Sequence, residues 1–230
     1  LPMSFFLDGE EGAIKAPVSA FLIEHPKGKC LFDTGLGVRF RRERGGPAIH
    51  DFDLEHDHDI ATRLSAIGID PLSIRFIINS HLHLDHAGGN SFLPNASIIV
   101  QEPEWEFALN SGERAYRRKE FDTGQPVIRV RGEHDLYGDG SVVLFPTPGH
   151  TPGHQSARIR TSHGDIVLAA DCCNLQRSLD EMRLPDHCHD AEQYVQTLKL
   201  LAHMRANGAR ILFGHDPDQW AGIPQGKPFS

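Results

Sequence analysis

The stretch Ile74-Arg75-Phe76-Ile77-Ile78-Asn79-Ser80-His81-Leu82-His83-Leu84-Asp85-His86-Ala87-Gly88-Gly89 sets a short, nearly all-apolar run directly ahead of four ionisable side chains. Residues 74–78 read as a buried strand. In extended backbone, side chains two residues apart lie on one face, so His81 and His83 can reach one cation at roughly 2.0–2.1 Å. Asp85 and His86 arrive as the chain turns into Ala87-Gly88-Gly89 and can face a second cation beside the first. Fifteen histidines in 230 residues invite the explanation that such a string is accidental, but this composition gives only about 0.005 chance occurrences of the pattern. Four ionisable groups packed this closely need a cation or another partner to offset their desolvation. The segment therefore predicts a metal centre.

Upstream, residues 18–24 and 29–32 are apolar runs separated by Pro26-Lys27-Gly28, which predicts a hairpin. Residues 59–67 carry Ile60, Leu64 and Ile67 at helical spacing and stop at Gly68, a helix feeding the strand at 74–78. Downstream, residues 97–100, 127–130, 142–145, 156–159 and 166–170 are strand candidates, and 102–109 is a helix candidate. Asp190 is placed to cap a long helix with Tyr194, Leu198 and Leu201 on one face, and Gly208 marks its end before a strand at 211–213. Strands mixed with helices throughout give an α/β chain whose helices cover both outer sides of its sheets. No internal repeat or long linker interrupts it, so one domain spanning residues 1–230 is expected.

Composition removes several classes of function. The net charge is −8, and the basic runs are only Arg41, Arg42, Arg44 and Arg117, Arg118, Lys119, which argues against nucleic acid as a partner. No run approaches the roughly 18 apolar residues of a bilayer span, so no membrane partner is expected. Cys30, Cys172, Cys173 and Cys188 have neither the spacing of a zinc ribbon nor the density of a disulfide scaffold. Residues 1–8 lack the basic and apolar regions of a secretory leader, with Met3 a candidate natural start, and the expected location is the cytoplasm.

Residues 81–86 resemble the HxHxDH signature of the metallo-β-lactamase superfamily, and more of the chain agrees in order. His150 lies in Thr147-Pro148-Gly149-His150-Thr151-Pro152-Gly153-His154, Asp171 closes the apolar run 166–170, and His215 follows Ile211-Leu212-Phe213-Gly214. The resemblance covers residues 18 to 216. It implies an αβ/βα sandwich: two mixed β-sheets packed face to face, with helices on both outer sides. It also implies that His81, His83 and His150 hold one ion, that Asp85, His86 and His215 hold the other, and that Asp171 bridges both. Two cations about 3.5–4 Å apart need such an anionic bridge, and a water shared between them loses its proton readily and becomes the nucleophile. Two zinc ions suit the imidazole-rich set, although iron, manganese or cobalt also occupy mixed His/Asp sites.

Other ionisable clusters read differently. The resemblance puts only the first histidine of the His150/His154 pair on the metal, leaving His154 to fix the turn or support a ligand. Glu55-His56-Asp57-His58-Asp59 echoes the motif but precedes a helix and lacks the strand-then-glycine context, so it reads as a solvated loop near the pocket mouth. His187-Cys188-His189 reads as surface, and Cys172 and Cys173 as packing residues.

The flanks narrow the reaction. Residues 16–36, with 81–90, 147–156 and 213–216, resemble N-acyl homoserine lactone hydrolases, the quorum-quenching lactonases, which implies a small-molecule lactone or ester substrate opened by the bridging hydroxide. Many of these lactonases place a tyrosine three residues after the bridging aspartate to polarise the lactone carbonyl; here that position is Asn174. An asparagine amide can also donate to a developing oxyanion, as could Tyr116 or Tyr137 from a loop. Asp85, Asp171 and Asn174 are thus the candidate catalytic side chains. The alternatives are a thioesterase resembling glyoxalase II and a phosphotriesterase on the same dinuclear site. The former is disfavoured because such enzymes carry a basic C-terminal extension, whereas this chain ends fifteen residues after His215. A non-catalytic metal-binding module is disfavoured by the complete ligand set. Oligomeric state is left open, with a homodimer one outcome.

Overall fold

The structure is a computed structural model that describes residues 1–37, 54 and 57–229. The expected hairpin forms from antiparallel β1 (Phe21–His25) and β2 (Gly28–Phe32), turning at Gly28, whose φ of +136° suits a residue without a Cβ. The first strand begins at Phe21 and not at residue 18. Its partner β2 ends at Phe32, where Asp33 turns the chain away at φ +57°. The helix α1 (Ile60–Ala66) is capped by Asp59, which accepts the Thr62 N–H, and it buries Ile60 and Leu64.

The apolar run becomes β3 (Ile74–Ile78), and the histidine-rich segment leads into a single helical turn, α2 (Leu84–Ala87). Next come β4 (Ser97–Gln101), α3 (Glu102–Asn110), α4 (Arg118–Phe121), β5 (Val127–Val130) and the short β6 (His134–Asp135). The chain continues through β7 (Val142–Pro146), β8 (Gln155–Thr161), β9 (Gly164–Ala170), α5 (Gln176–Asp180), α6 (Ala191–Ala206), β10 (Arg210–Phe213) and α7 (Pro217–Ala221). Strands β7 to β10 each run one or more residues past the expected bounds, because ladder pairing extends into polar residues such as Gln155, Arg160 and Asp165 that carry no apolar signal.

Two five-stranded mixed sheets result. One has the order β1-β2-β3-β4-β5, antiparallel at the first pair and parallel thereafter; the other has the order β10-β9-β8-β7-β6, parallel only at β10/β9. Ile23, Phe32, Ile78 and Ile99 of the first sheet meet Val142, Leu144, Leu168 and Leu212 of the second in a shared core. Alternate residues of the same strands face outward: Leu31, Ile77 and Ile98 pack with Ile60 and Leu64 of α1, while Val167, Ala169, Ile211 and Phe213 pack with Tyr194, Leu198 and Leu201 of α6. Helix, sheet, sheet, helix is the sandwich that the resemblance implied. Strands β3, β9 and β10 all end at the same edge, and the segments after them carry His81, Asp171 and His215.

Candidate metal centre

His81 and His83 occupy the connection from β3 to α2. Of the two, only His83 has a ladder partner, an isolated bridge to Tyr116; His81 lies in a bend, so the pair is less extended than alternation alone implied. His83 sits at the N-cap of α2, which presents Asp85 and His86 within one turn. A Cβ at Gly88 would meet the Gly37 nitrogen at 2.4 Å, and one at Gly89 the Thr34 carbonyl at 2.3 Å. The two glycines of the motif therefore let α2 lie directly on the 33–37 loop. His150 lies in the β7–β8 loop, where Gly149 adopts φ +135° and a Cβ would strike the Tyr194 backbone at 2.4 Å. Asp171 follows β9, and its main-chain carbonyl accepts the buried Tyr194 hydroxyl at 2.9 Å. Ala170, immediately before it, holds φ +49°, a left-handed conformation that costs an alanine roughly 1–2 kcal/mol. His215 follows β10, with its N–H donating to the Asn174 carbonyl at 2.9 Å.

These segments bring seven side chains together in three overlapping groups, each with ligand atoms within 4.8 Å of one another: His81, His83 and His150; His81, His86 and Asp171; and Asp85, His86 and His215. Asp171 Oδ1 lies 3.1 Å from both His86 Nε2 and His215 Nε2, and its Oδ2 lies 3.4 Å from His150 Nε2. The Oδ2 of Asp85 stands 3.7 Å from His86 Nε2 and 3.8 Å from His215 Nε2. On the other flank, His83 Nδ1 is 3.2 Å from His150 Nε2. Among the described residues, the buried His81 Nε2, His86 Nε2 and Asp171 Oδ1 have no hydrogen-bond partner. Orphaned lone pairs converging from both sides of one carboxylate are what two cations require, and the His/Asp donor set suits divalent transition metals.

The outward nitrogens are fixed by other groups. His86 Nδ1 is 2.8 Å from Asp33 Oδ2, and His215 Nδ1 is 2.7 Å from the Pro17 carbonyl, so in each ring the proton belongs on Nδ1 and Nε2 is aimed inward. Burial, with help from neighbouring imidazoles, pushes His81 and His83 well below the ordinary histidine range and lowers His150 as well. Burial, the largest single influence, opposes protonation of His86 and His215 too, but Asp171 and Asp85, joined at His86 by Asp33, together outweigh it and raise both. Burial would raise the Asp171 carboxyl, yet His215, His86 and His150 hold it well below the carboxylate range.

Asn174 is buried at 3% exposure, on the segment that links Asp171 to the His215 backbone. The two tyrosines named as alternative donors are committed elsewhere. Tyr116 stands edge-on to His83 but donates its hydroxyl to Glu104, and Tyr137 donates to the Gly28 carbonyl at the far end of β2, stacked on His25. His154 is fully buried and outside the ligand groups, with Nδ1 2.8 Å from the Thr147 hydroxyl in its own turn. Of the Glu55–Asp59 echo, Glu55 and His56 lie outside the described residues, Asp57 is 3.9 Å from His58, and Asp59 serves α1. His187 is exposed; exposed His189 also donates its N–H to the His150 carbonyl. Cys172 and Cys173 are buried packing residues, and burial raises the Cys172 thiol to about 12.

Three supporting residues escape a reading of the motifs: Asp33, Glu104 and Tyr194. Asp33 leaves a trace in the sequence as a lone acid ending the apolar run of β2, and Tyr194 only as part of the apolar face of α6, with no sign of its bond to Asp171.

The sequence profile of the metallo-beta-lactamase superfamily matches residues 14–215. The chain belongs to this superfamily. Within it, the chain is 36% identical to the N-acyl homoserine lactonase AttM of Azorhizobium caulinodans, over 92% of this chain and 86% of that protein. It is 32% identical to AttM of Agrobacterium fabrum, over 96% and 90%. A solved N-acyl homoserine lactone hydrolase, with the product N-hexanoyl-L-homoserine bound at its catalytic metal center, superposes with a TM-score of 0.86 at 29% identity, covering 97% of this chain and 92% of that one. No helix among the described residues is long and apolar enough to cross a membrane.

Proposed function

We propose that this chain hydrolyses the lactone ring of N-acyl homoserine lactones at a pair of zinc ions. The observation that carries the reading is the placement of Asp171 between two histidine-rich ligand groups, in a chain that matches lactonases over nearly its whole length. His81, His83 and His150 would hold one ion, Asp85, His86 and His215 the other, and Asp171 both. When bound, the ions supply an activated water as nucleophile and polarise the carbonyl oxygen.

The protein's own part is to present imidazole lone pairs and two carboxylates, Asp85 and Asp171. Burial keeps His81, His83 and His150 unprotonated, so their nitrogens are available as ligands at neutral pH. Asp33 and the Pro17 carbonyl hold the protons of His86 and His215 on the outward nitrogens. Asp171, kept ionised, offsets the charge of two cations in a site that water enters poorly. Asn174 takes the position of the lactonase tyrosine, and its amide donates to the lactone carbonyl as negative charge develops there. The ring C–O bond breaks, the ring oxygen leaves as the homoserine hydroxyl, and the new carboxylic acid releases one proton to solvent at neutral pH.

That proton is the assay. In a pH-stat panel of homoserine lactones, thioesters and aryl phosphotriesters on zinc-reconstituted protein, homoserine lactones should turn over fastest. Phosphotriester or thioester hydrolysis without lactone opening would overturn the lactonase reading and leave only a dinuclear hydrolase.

A further inference from the structure

Glu104 is a fully buried acid in the first turn of α3, with 0% exposure. Its carboxylate faces four donors, none of them a cationic side chain. Oε1 accepts the Leu82 N–H at 3.0 Å and the Tyr116 hydroxyl at 2.9 Å; Oε2 accepts the Thr151 hydroxyl at 2.7 Å and the Gly153 N–H at 3.2 Å. The donors belong to three segments that are separate in sequence. Leu82 lies between His81 and His83. Tyr116 bridges to His83 through the backbone and stands against its ring at 4.6 Å. Thr151 follows His150 directly, and Gly153 closes the same loop. A Cβ at Gly153 would lie 2.1 Å from the Glu104 nitrogen, so this loop rests on the first turn of α3 with no room for a side chain.

A buried carboxylate is an expensive way to join loops unless all its lone pairs are used, and here both oxygens carry two donors. The partners are also selective. Leu82, Tyr116 and Thr151 each flank or touch His81, His83 or His150, and Gly153 closes the His150 loop, whereas the other ligand group is fixed from elsewhere: His86 by Asp33, and His215 by the Pro17 carbonyl and the Asn174 backbone.

The geometry points to Glu104 as the positioning residue of the three-histidine site: it locks the His81–His83 segment to the His150 loop and thereby sets the affinity for one of the two ions and not the other. The inference rests on the dinuclear reading above. Glutamine at this position keeps the shape, but its amide nitrogen cannot accept. Either the Leu82/Tyr116 pair or the Thr151/Gly153 pair loses its acceptor, and a ligand of the same ion is loosened in both cases.

The test is a competition titration of zinc-loaded protein against a chromophoric chelator, which resolves the two successive dissociation constants, for the parent, Glu104→Gln, Tyr116→Phe and Thr151→Val. The 15N spectrum of labelled histidines identifies which imidazoles release metal. Glu104→Gln should weaken one equivalent by about 10- to 100-fold and leave the other within about twofold. His81, His83 and His150 should be the rings that report the loss. Tyr116→Phe and Thr151→Val each remove one donor, and each should weaken the same equivalent by less; they decide the matter should Glu104→Gln not fold. Equal weakening of both equivalents, or neither, in the variants that fold would reduce Glu104 to an ordinary structural residue and overturn the inference. A parent protein that binds one equivalent or fewer would overturn the dinuclear reading and this inference with it.

Discussion

Replacing Asp33 by asparagine should weaken metal binding through a change of tautomer, not of shape. Asp33 takes the Ser80 N–H on Oδ1 at 2.7 Å, and on Oδ2 it takes the Ser80 hydroxyl and His86 Nδ1, both at 2.8 Å. The Ser80 N–H cannot change role, so the oxygen of an asparagine would stay with it and the amide NH2 would turn toward His86. Facing a donor, Nδ1 must then accept, and the ring proton moves to Nε2, the atom 3.1 Å from Asp171. A protonated Nε2 cannot ligate a cation. Restoring the productive tautomer means opposing the amide and forgoing a charge-assisted hydrogen bond, worth about 1.5–3 kcal/mol. At about 1.4 kcal/mol per decade, that is roughly a 10- to 100-fold loss of affinity. The equivalent held by His86 should show it most directly, and the His81 equivalent should weaken too, because the Ser80 hydroxyl bound to Oδ2 stands 3.0 Å from His81 Nδ1. The measurement is a chelator competition on a variant whose circular dichroism matches the parent. Two dissociation constants identical to the parent's would show that the Asp33 carboxylate does not govern the His86 ring.

Asp171→Asn should lower lactone turnover by at least about 100-fold and loosen both metals, because the bridge loses its charge; near-normal turnover with both metals retained would show that the bridge was misplaced. Asn174→Ala should lower kcat by about 100-fold with a smaller change in KM, since an oxyanion donor strengthens in the transition state, and steady-state kinetics on a homoserine lactone separates the two effects. The metal-stripped protein should lose stability as pH falls. Burial holds His81, His83, His150 and His154 below their ordinary range, so the unfolded chain binds more protons, and their contribution is complete above about pH 6.5 and declines below it toward the lowered folded values. His86 and His215 act with the opposite sign, losing their contribution as pH rises above 6.5 through their raised values. Glu104, its carboxyl raised by burial, acts with that sign as well. With four groups against three, the melting temperature in chelator should drop between pH 7 and pH 5, and a flat profile would contradict the burial argument.

Much of this was legible before any fold was known, because metal ligands are chosen by residue type and spacing. His81, His83, Asp85 and His86 declare themselves within six residues, and His150, Asp171 and His215 each sit where an apolar run or a Pro-Gly turn ends. The face of α6 was readable for a similar reason, since Tyr194, Leu198 and Leu201 repeat at helical spacing and are buried as expected. The residues that steady the ligands were not readable. Glu104 acts on Leu82 across 22 positions and Tyr194 on Asp171 across 23, both through backbone atoms that any residue type would offer. Tyr116 and Tyr137 looked available as donors for the same reason in reverse, because only the folded chain reveals which acceptor each hydroxyl has found.

The left-handed alanine ahead of Asp171 bears on how firmly the two ions can be held. Ala170 pairs with Phe213 where the β9–β10 register slips, so the joint between strand and ligand is already irregular. A glycine there would relieve roughly 1–2 kcal/mol of torsional strain, and its extra freedom in the unfolded chain takes back roughly 0.5–1 kcal/mol. Folding would gain about 0.5–1 kcal/mol at most, whereas the joint would lose its constraint. A glycine opens torsions that let the carboxylate swing, while a methyl group closes them. Alanine thus serves as a stop on a hinge at a modest expense in stability, and the Asp171 carboxylate inherits its stiffness.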